Sequence, residues 1–169
     1  MSSGFRFYGF FLAEGWRRFA KKKLRFEYII EVKIVWDGRP LMLRGLIDSG
    51  NQLVDPLTKT PVMVVEQEKA KAVLPEELLG CLSSPMMLAS PPERWVHRLR
   101  LIPYRAVGSG PQMMAAVKPD RIMLRYENEW LEVAQGLVAL SADPLSTDGE
   151  YDCIVHPKMV QAGRKLTAS

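Results

Sequence analysis

The sequence predicts a single, mainly β domain, and three observations carry that prediction. Short runs rich in β-branched and aromatic residues recur at short spacing, turn signals separate several of them, and only residues 66–79 have the composition of a helix. The length of 169 residues suits one domain with one core. The two cysteines, Cys81 and Cys153, provide no disulfide framework, which favours a reducing compartment.

The first elements form a predicted hairpin that leads into a polar turn. Residues 28–36 have the content of a strand, Asp37-Gly38 is a strong hairpin turn signal, and residues 41–47 return as the second strand. The second strand ends in Asp48-Ser49-Gly50-Asn51. After a loop, residues 62–65 form a short apolar strand.

The middle of the chain contains the predicted helix. Residues 66–79 are rich in Glu, Lys, Ala and Leu and are expected to form one inserted helix, which Pro75 breaks or restarts. Residues 83–92 are expected to be a loop. Further strands are expected at residues 97–107, 113–117, 122–126, 130–140 and 151–155.

A weak internal repeat accompanies the strand pattern. In the first copy a hairpin leads to Gly45-Leu46-Ile47-Asp48, and in the second a turn near Asn128 is followed by Gly136-Leu137-Val138-Ala139. The second copy therefore has an alanine where the first has an aspartate. We expect the segment that begins at Gly136 to pack beneath the Asp48 loop without a chemical role.

Charge sets a basic N-terminal segment over 1–25 apart from the rest of the chain, in which we expect a domain over 26–160 and a tail over 161–169. Six basic residues and no acidic one lie within 16–25, so the net charge of +4 leaves the rest slightly acidic, which argues against a nucleic-acid-binding face. Segment 1–25 also contains seven aromatic residues, a composition that suits contact with a membrane surface or a solvated, partly helical tail. No apolar run approaches the ~20 residues that a transmembrane helix needs.

The motif that carries chemistry is Asp48-Ser49-Gly50 at the end of a buried strand. Two apolar residues before Asp-Ser-Gly are typical of an aspartic peptidase half-site, in which the strand fixes the carboxylate, the hydroxyl orients the loop and glycine permits a tight turn. Asp-Ser-Gly is also ordinary turn chemistry.

An aspartic peptidase needs two neighbouring carboxylates that share a proton. The chain has one Asp-Ser-Gly, and the repeat position is Ala139. The motif therefore predicts a homodimer in which each subunit supplies one Asp48.

A wider set of motifs strengthens this interpretation. They are Leu46-Ile47-Asp48-Ser49-Gly50-Asn51-Gln52-Leu53, Asp55-Pro56-Leu57-Thr58, Pro61-Val62, Leu101-Ile102-Pro103-Tyr104, Lys118-Pro119-Asp120, Gly136-Leu137-Val138-Ala139-Leu140-Ser141 and His156-Pro157-Lys158. Together, over residues 26–160, they resemble the sporulation sigma-E factor processing peptidase family, stage II sporulation protein GA. The resemblance implies an aspartic endopeptidase that cleaves the propeptide from the sigma-E precursor, with a fold similar to the retroviral proteases.

The resemblance also implies a site, partners and a location. Asp48 would be the catalytic aspartate, with Ser49, Gly50 and Asn51 supporting its loop, in a closed β barrel with one lobe per chain. The Gly108-Ser109-Gly110 turn lies where a substrate-covering flap would have its tip. The family acts at the septal membrane on the mother-cell side and is activated by a protein secreted from the forespore. Its members carry several transmembrane helices, which this sequence lacks, so a cytoplasmic or peripheral location is expected.

Other chemistries fit the sequence less well. Cys81, His97, Cys153 and His156 have no paired spacing for a metal, and no metal or organic cofactor is implied. Ser49 lacks the context of a serine nucleophile. Four aspartates in turn contexts are expected at the surface, namely Asp37, Asp55, Asp120 and Asp152. Two alternatives stay open: a non-catalytic dimeric module that binds the sigma factor or an activator, and a membrane-surface adaptor working through 16–25.

Overall fold

The computed structural model describes residues 29–167, so segment 1–25 and its suggested membrane contact lie outside the described residues. The elements are β1 (Ile29–Trp36), β2 (Arg39–Ile47), β3 (Val62–Glu66), α1 (Gln67–Ala70), α2 (Glu76–Ser83), a 3-10 helix (Pro85–Ala89), β4 (Leu99–Arg105), β5 (Pro111–Val117), β6 (Arg121–Tyr126), β7 (Glu129–Glu132), β8 (Leu137–Ser141), β9 (Cys153–Val155), α3 (Pro157–Gln161) and β10 (Arg164–Lys165). The predicted mainly β class is confirmed. None of the helices between residues 29 and 167 has the length and apolar character needed to cross a membrane.

Two tight hairpins begin the two halves of the sheet. Asp37 and Gly38, between β1 and β2, have φ angles of 46° and 76°, and Glu127 and Asn128, between β6 and β7, have 50° and 64°. Two consecutive positive φ values match the twist of the flanking strands, which explains why Asp-Gly and Asn mark these turns in the sequence. Both predicted hairpins are confirmed.

The central strands pair the two copies of the repeat with each other. β2 runs parallel to β9, β3 runs parallel to β8, and β3 and β9 are antiparallel between them. We call β1, β2, β3 and α1 the Asp48 unit, and β6, β7, β8, β9 and α3 the Ala139 unit. The long strand β2 corresponds to β7 and β8 together, since β7 pairs with the hairpin partner β6 and β8 pairs with the other unit.

The repeated glycines have the same packing role. A Cβ atom at Gly45 would lie 2.7 Å from a methyl group of Val32 and 2.7 Å from one of Val155. A Cβ atom at Gly136 would lie 2.7 Å from the Ile122 Cδ1 atom. In each unit, therefore, the missing Cβ atom of glycine leaves room for a branched side chain from the neighbouring hairpin strand.

The expectation of a closed barrel is wrong. The described strands form one open sheet in the order β10-β7-β6-β1-β2-β9-β3-β8-β5-β4. The hairpin of β4 and β5 is paired along its whole length, but β5 pairs with β8 only at Ala116 and Val117. Most of the hairpin therefore projects beyond the sheet, which leaves β4 at one edge and β10, within the expected tail, at the other.

The single inserted helix is replaced by two short ones. Pro75 precedes α2 in an extended conformation (ψ 151°), and α1 ends at Ala70. Because proline cannot donate the hydrogen bond that a continuous helix needs, Pro75 separates α1 from α2. Part of the loop expected over 83–92 is the 3-10 helix.

Two apolar clusters lie on opposite faces of the central strands. Met63 and Val65 of β3 belong to the larger cluster, and Val62 and Val64 belong to the smaller one. The larger cluster is covered by α2, whose Leu78 is fully buried. Leu53, in the loop that follows Asp48, packs against the smaller cluster.

Candidate active site

Asp48 occupies the position immediately after β2. Its backbone N–H donates to the carbonyl oxygen of Val155 at 3.1 Å, which extends the parallel pairing of β2 and β9 by one bond. The residue is 1% exposed. The strand pairing thus holds a carboxylate in an almost fully buried position at the end of the central sheet.

The turn after Asp48 orients the carboxylate. The Gly50 N–H donates to the Asp48 Oδ1 atom at 2.7 Å, and the Asn51 N–H donates to the Asp48 carbonyl oxygen at 3.0 Å. Ser49 is exposed, whereas Gly50 is half-buried. The tight turn that Asp-Ser-Gly favours therefore also fixes the orientation of the Asp48 carboxylate.

Asn51 ties the Asp48 loop to β3. Its side chain is buried and donates to the carbonyl oxygen of Val62 at 3.0 Å, while its Oδ1 atom accepts from the Leu53 N–H at 3.1 Å. Both ends of the amide are thus used, which makes Asn51 a structural support of the loop.

A cleft of about 540 Å³ opens in front of Asp48. One wall, the loop wall, consists of residues 50–54, Pro56 and Lys59, and the opposite hairpin wall consists of Pro103, Tyr104, Arg105 and Pro111. Val64 and Ile154 also line it. Among the described residues of the lining, Asp48 is the only carboxylate, and the only cations are Lys59 and Arg105. A mostly apolar cleft with few polar groups suits an extended peptide with apolar side chains.

The predicted flap tip lies at the end of the β4–β5 hairpin. Gly108 has a φ of +77°, and the Ser109 N–H donates to the carbonyl oxygen of Ala106 at 3.2 Å. Gly110 immediately precedes β5. The three residues are thus brought to the tip of the projecting hairpin, and their action as a flap stays a prediction.

Sequence reasoning missed two polar residues of the same hairpin. The Tyr104 hydroxyl donates to the Gln112 Oε1 atom at 2.6 Å, across the paired strands β4 and β5. Burial raises the pKa of Tyr104 above its usual value, so the phenol stays protonated at neutral pH. Tyr104 belongs to one of the sequence motifs, but only the strand register places it at the cleft.

The surface position expected for all four turn aspartates is wrong for two of them. Asp37 and Asp120 are exposed and pair with Arg98. Asp55 is 3% exposed, and Asp152 is half-buried. Asp152 accepts the backbone N–H of Arg44 at 3.0 Å and pairs with Lys69.

His156, at the end of β9, has a structural function. Its Nδ1 atom accepts the Lys158 N–H at 3.1 Å and caps α3. Burial, aided by the charge of Lys158, lowers the pKa of His156 to about 4, so the ring is neutral at pH 7. Burial raises the pKa of both cysteine thiols, so neither is a thiolate. Within residues 29–167, no three potential metal ligands among His, Cys, Asp and Glu lie together.

Comparison with known proteins identifies the family to which this site belongs. The family model described as sporulation factor SpoIIGA matches residues 1–159. The chain belongs to the SpoIIGA family. The Asp48 loop, the cleft and the hairpin all lie inside the matched region.

Proteins from several bacteria are similar to the chain. A sporulation sigma-E factor-processing peptidase of Priestia megaterium is 42% identical over 152 residues, which are 88% of this chain and 49% of that protein. A protein of the same name from Bacillus subtilis is 38% identical over 144 residues, 82% of this chain and 47% of that protein. A Bacillus thuringiensis relative is 43% identical over 149 residues, 86% of this chain and 92% of that protein. The chain thus spans about half the length of the first and second of these relatives. No solved structure matches the chain.

Proposed function

We propose that the chain is an aspartic endopeptidase that removes the propeptide of the sporulation sigma-E precursor, acting as a homodimer with one Asp48 from each subunit. One observation carries the proposal: Asp48 is the only carboxylate among the described residues of its cleft, and the matching strand of the Ala139 unit contains alanine. A peptidase that needs two carboxylates must then take the second from another copy of the chain.

Two Asp48 residues would divide the chemistry between them. Because like charges at close range cannot both ionise easily, the pair holds one proton. The ionised carboxylate takes a proton from a water molecule, whose oxygen attacks the scissile carbonyl carbon. The protonated carboxyl donates a hydrogen bond to the carbonyl oxygen and so stabilises the negative charge that develops there.

The hairpin supports the same interpretation. We infer that the chain resembles the retroviral proteases in its use of a projecting hairpin as a flap, with Gly108, Ser109 and Gly110 at the tip. Tyr104 and Arg105, on β4 of this hairpin, already line the cleft. A substrate held between the hairpin wall and the loop wall would be shielded from water near Asp48.

The names of the relatives support the proposed substrate, and the family resemblance supports the other proposed partners. The names of the Priestia and Bacillus subtilis relatives state that they process sigma-E factor, and we propose the sigma-E precursor as substrate here. By the same resemblance, a protein secreted from the forespore is the proposed activator. The proposed place of action is the mother-cell face of the septal membrane, which segment 16–25 would contact.

Co-expression of the chain with the sigma-E precursor of its host tests the proposal. Mass spectrometry of the precursor should find a product shortened at its N-terminus with the wild type, and Asp48→Asn should reduce its formation by about a thousandfold or more. Asp152→Asn is the matched control, since Asp152 is a partly buried carboxylate outside the cleft lining. Equal cleavage by Asp48→Asn and the wild type would refute the mechanism.

Mixing the two forms tests the shared site. If each active site needs two Asp48 residues, activity at constant total protein should fall with the square of the wild-type fraction as Asp48→Asn is added. A linear fall would contradict a homodimeric site. If the wild type dimerises and binds the precursor without cleaving it, the non-catalytic module is the correct reading.

A further inference from the structure

Asp55 and Arg100 form an ion pair between the loop that carries one wall of the Asp48 cleft and the strand that carries the other. Asp55 belongs to the loop between β2 and β3 and stands between Val54 and Pro56 of the loop wall. Arg100 is the second residue of β4, at the root of the hairpin whose outer part forms the hairpin wall. The Arg100 Nε atom lies 3.7 Å from the Asp55 Oδ2 atom.

Asp55 is the centre of a rigid turn. Its Oδ1 atom accepts the Leu57 N–H at 2.9 Å, and its Oδ2 atom accepts the Thr58 hydroxyl at 3.0 Å. Its backbone closes the same turn, because the Asp55 N–H donates to the Thr60 carbonyl and the Lys59 N–H donates to the Asp55 carbonyl. The carboxylate is therefore fixed relative to the loop wall.

Arg100 is fixed relative to the hairpin in the same way. Its Nη1 atom donates to the carbonyl oxygen of His97, two residues before β4, at 3.0 Å and to that of Leu99, the first residue of β4, at 2.7 Å. With the guanidinium held by its own strand, the contact with Asp55 joins two ordered bodies and costs little side-chain entropy.

Charge keeps Asp55 in the form that this contact requires. Burial favours the neutral carboxyl, but the hydrogen bonds from Leu57 and Thr58 and the positive charge of Arg100 outweigh burial and lower the pKa of Asp55. The Asp55 side chain is 4% exposed, and the half-exposed Arg100 guanidinium is the cation beside it.

We propose that the Asp55–Arg100 pair braces the hairpin against the Asp48 loop and so sets the width of the cleft. This inference rests on the proposed function and deepens it: Asp55 and Arg100 are positioning residues for the peptide substrate, since they act through the cleft walls. Loss of the brace should weaken substrate binding because displacements of about 1 Å in a site can cost up to about a hundredfold in rate.

Asp55→Asn tests the brace because it removes the charge and keeps the shape. We expect kcat/KM for the precursor to fall about tenfold, mainly through a higher KM. Hydrogen–deuterium exchange of hairpin residues 106–117, measured without substrate, should become faster. Arg100→Lys, which keeps the charge, should retain more activity than Arg100→Met, and both variants keep the Asp55 turn if Asp55→Asn fails to fold.

Asp152→Asn serves as the matched control. Asp152 also accepts a backbone N–H and pairs with a cation, Lys69 at 3.5 Å, yet it does not line the cleft. It should change neither KM nor hairpin exchange. Equal changes in Asp55→Asn and Asp152→Asn, or unchanged hairpin exchange in Asp55→Asn, would overturn the brace.

Hydrogen–deuterium exchange of the hairpin tests the brace independently of the peptidase activity. If the wild-type chain cleaves no precursor, the proposed peptidase activity fails, but faster hairpin exchange in Asp55→Asn and Arg100→Met would still support the brace. If the wild type cleaves and neither variant changes KM or exchange, the peptidase stands and the brace is wrong.

Discussion

The Asp48 unit and the Ala139 unit share one backbone arrangement but differ in the residue that follows the repeated glycine by three positions. Each has a tight hairpin, a glycine that accommodates a branched side chain, and a strand paired parallel with the other unit. In the first unit Asp48 directly follows β2 and lines the cleft, whereas in the second unit β8 continues through Ala139, which is completely buried. The difference teaches that the fold provides two equivalent positions and that only one of them carries a carboxylate.

The largest expected effect comes from giving the Ala139 unit its own carboxylate. Ala139→Asp would bury an unpaired acid in the smaller apolar cluster, so we expect a loss of about 3–5 kcal/mol in the free energy of unfolding at pH 7, measured in urea. Ala139→Asn controls for volume and polarity. An Ala139→Asp chain as stable as the wild type would contradict this expected cost.

The residue that precedes the helix differs between the two units, and in the Ala139 unit it makes the stability depend on pH. Glu66 precedes α1 in the Asp48 unit, and His156 precedes α3 in the Ala139 unit. The pKa of His156 is lowered to about 4 from an ordinary value of 6.5, so the unfolded chain takes up the proton first. Stability should therefore fall as the pH drops from about 6.5 to about 4, by at most ~3 kcal/mol.

His156→Asn provides the control for that pH dependence. Asparagine keeps an oxygen that can cap α3 but does not titrate, so urea midpoints measured between pH 7 and 4 should decline less steeply than in the wild type. Identical slopes would show that His156 does not cause the loss.

The two glycines should respond unequally to alanine. At Gly45 the new methyl group would meet Val32 and Val155, whose branched side chains have little freedom, so we expect a cost of about 1–3 kcal/mol. At Gly136 it would meet the flexible end of Ile122, and the cost should stay below about 1 kcal/mol. Thermal unfolding of both variants checks the order, and a larger loss at Gly136 would contradict it.

The smallest expected effects come from exchanging the turn residues. Asn128 has a φ of 64° where the Asp48 unit has Gly38 at 76°. Asn128→Gly should stabilise the chain by about 0.5 kcal/mol because glycine adopts this conformation without a Cβ penalty, and Gly38→Asn should destabilise it by a similar amount. Urea midpoints of the two variants should therefore shift in opposite directions, and shifts of the same sign would refute the equivalence of the turns.

Local signals predicted much of this fold, and distant contacts account for the errors. Asp37-Gly38 fixes its hairpin through the conformation of two adjacent residues, so the sequence predicts it well. The sheet is open because its edge strands, β10 and β4, do not pair with each other, and no local pattern records that. The barrel is an expectation from the resemblance to the retroviral proteases, and its closure would need a pairing between β4 and β10, which lie far apart in the sequence.

The candidate site shows the same division. Asp48 and its turn could be proposed from Asp-Ser-Gly because the motif contains its own geometry. Asp55 was expected at the surface because Asp-Pro is typical of exposed turns, and its partner Arg100 lies far along the chain on β4. Tyr104 likewise reaches the cleft through strand pairing, which sequence spacing does not reveal.

An open sheet exposes two edges to which strands of other molecules can add, and the two edges of the sheet formed within residues 29–167 are poorly suited to such growth. At one end β10 has only two residues, Arg164 and Lys165, both basic and exposed. At the other end β4 contains Pro103, which offers no N–H to an incoming strand. Both features disfavour the growth of fibrils by addition of strands from further copies of the chain. They leave a closed symmetric contact as the favoured mode of self-association.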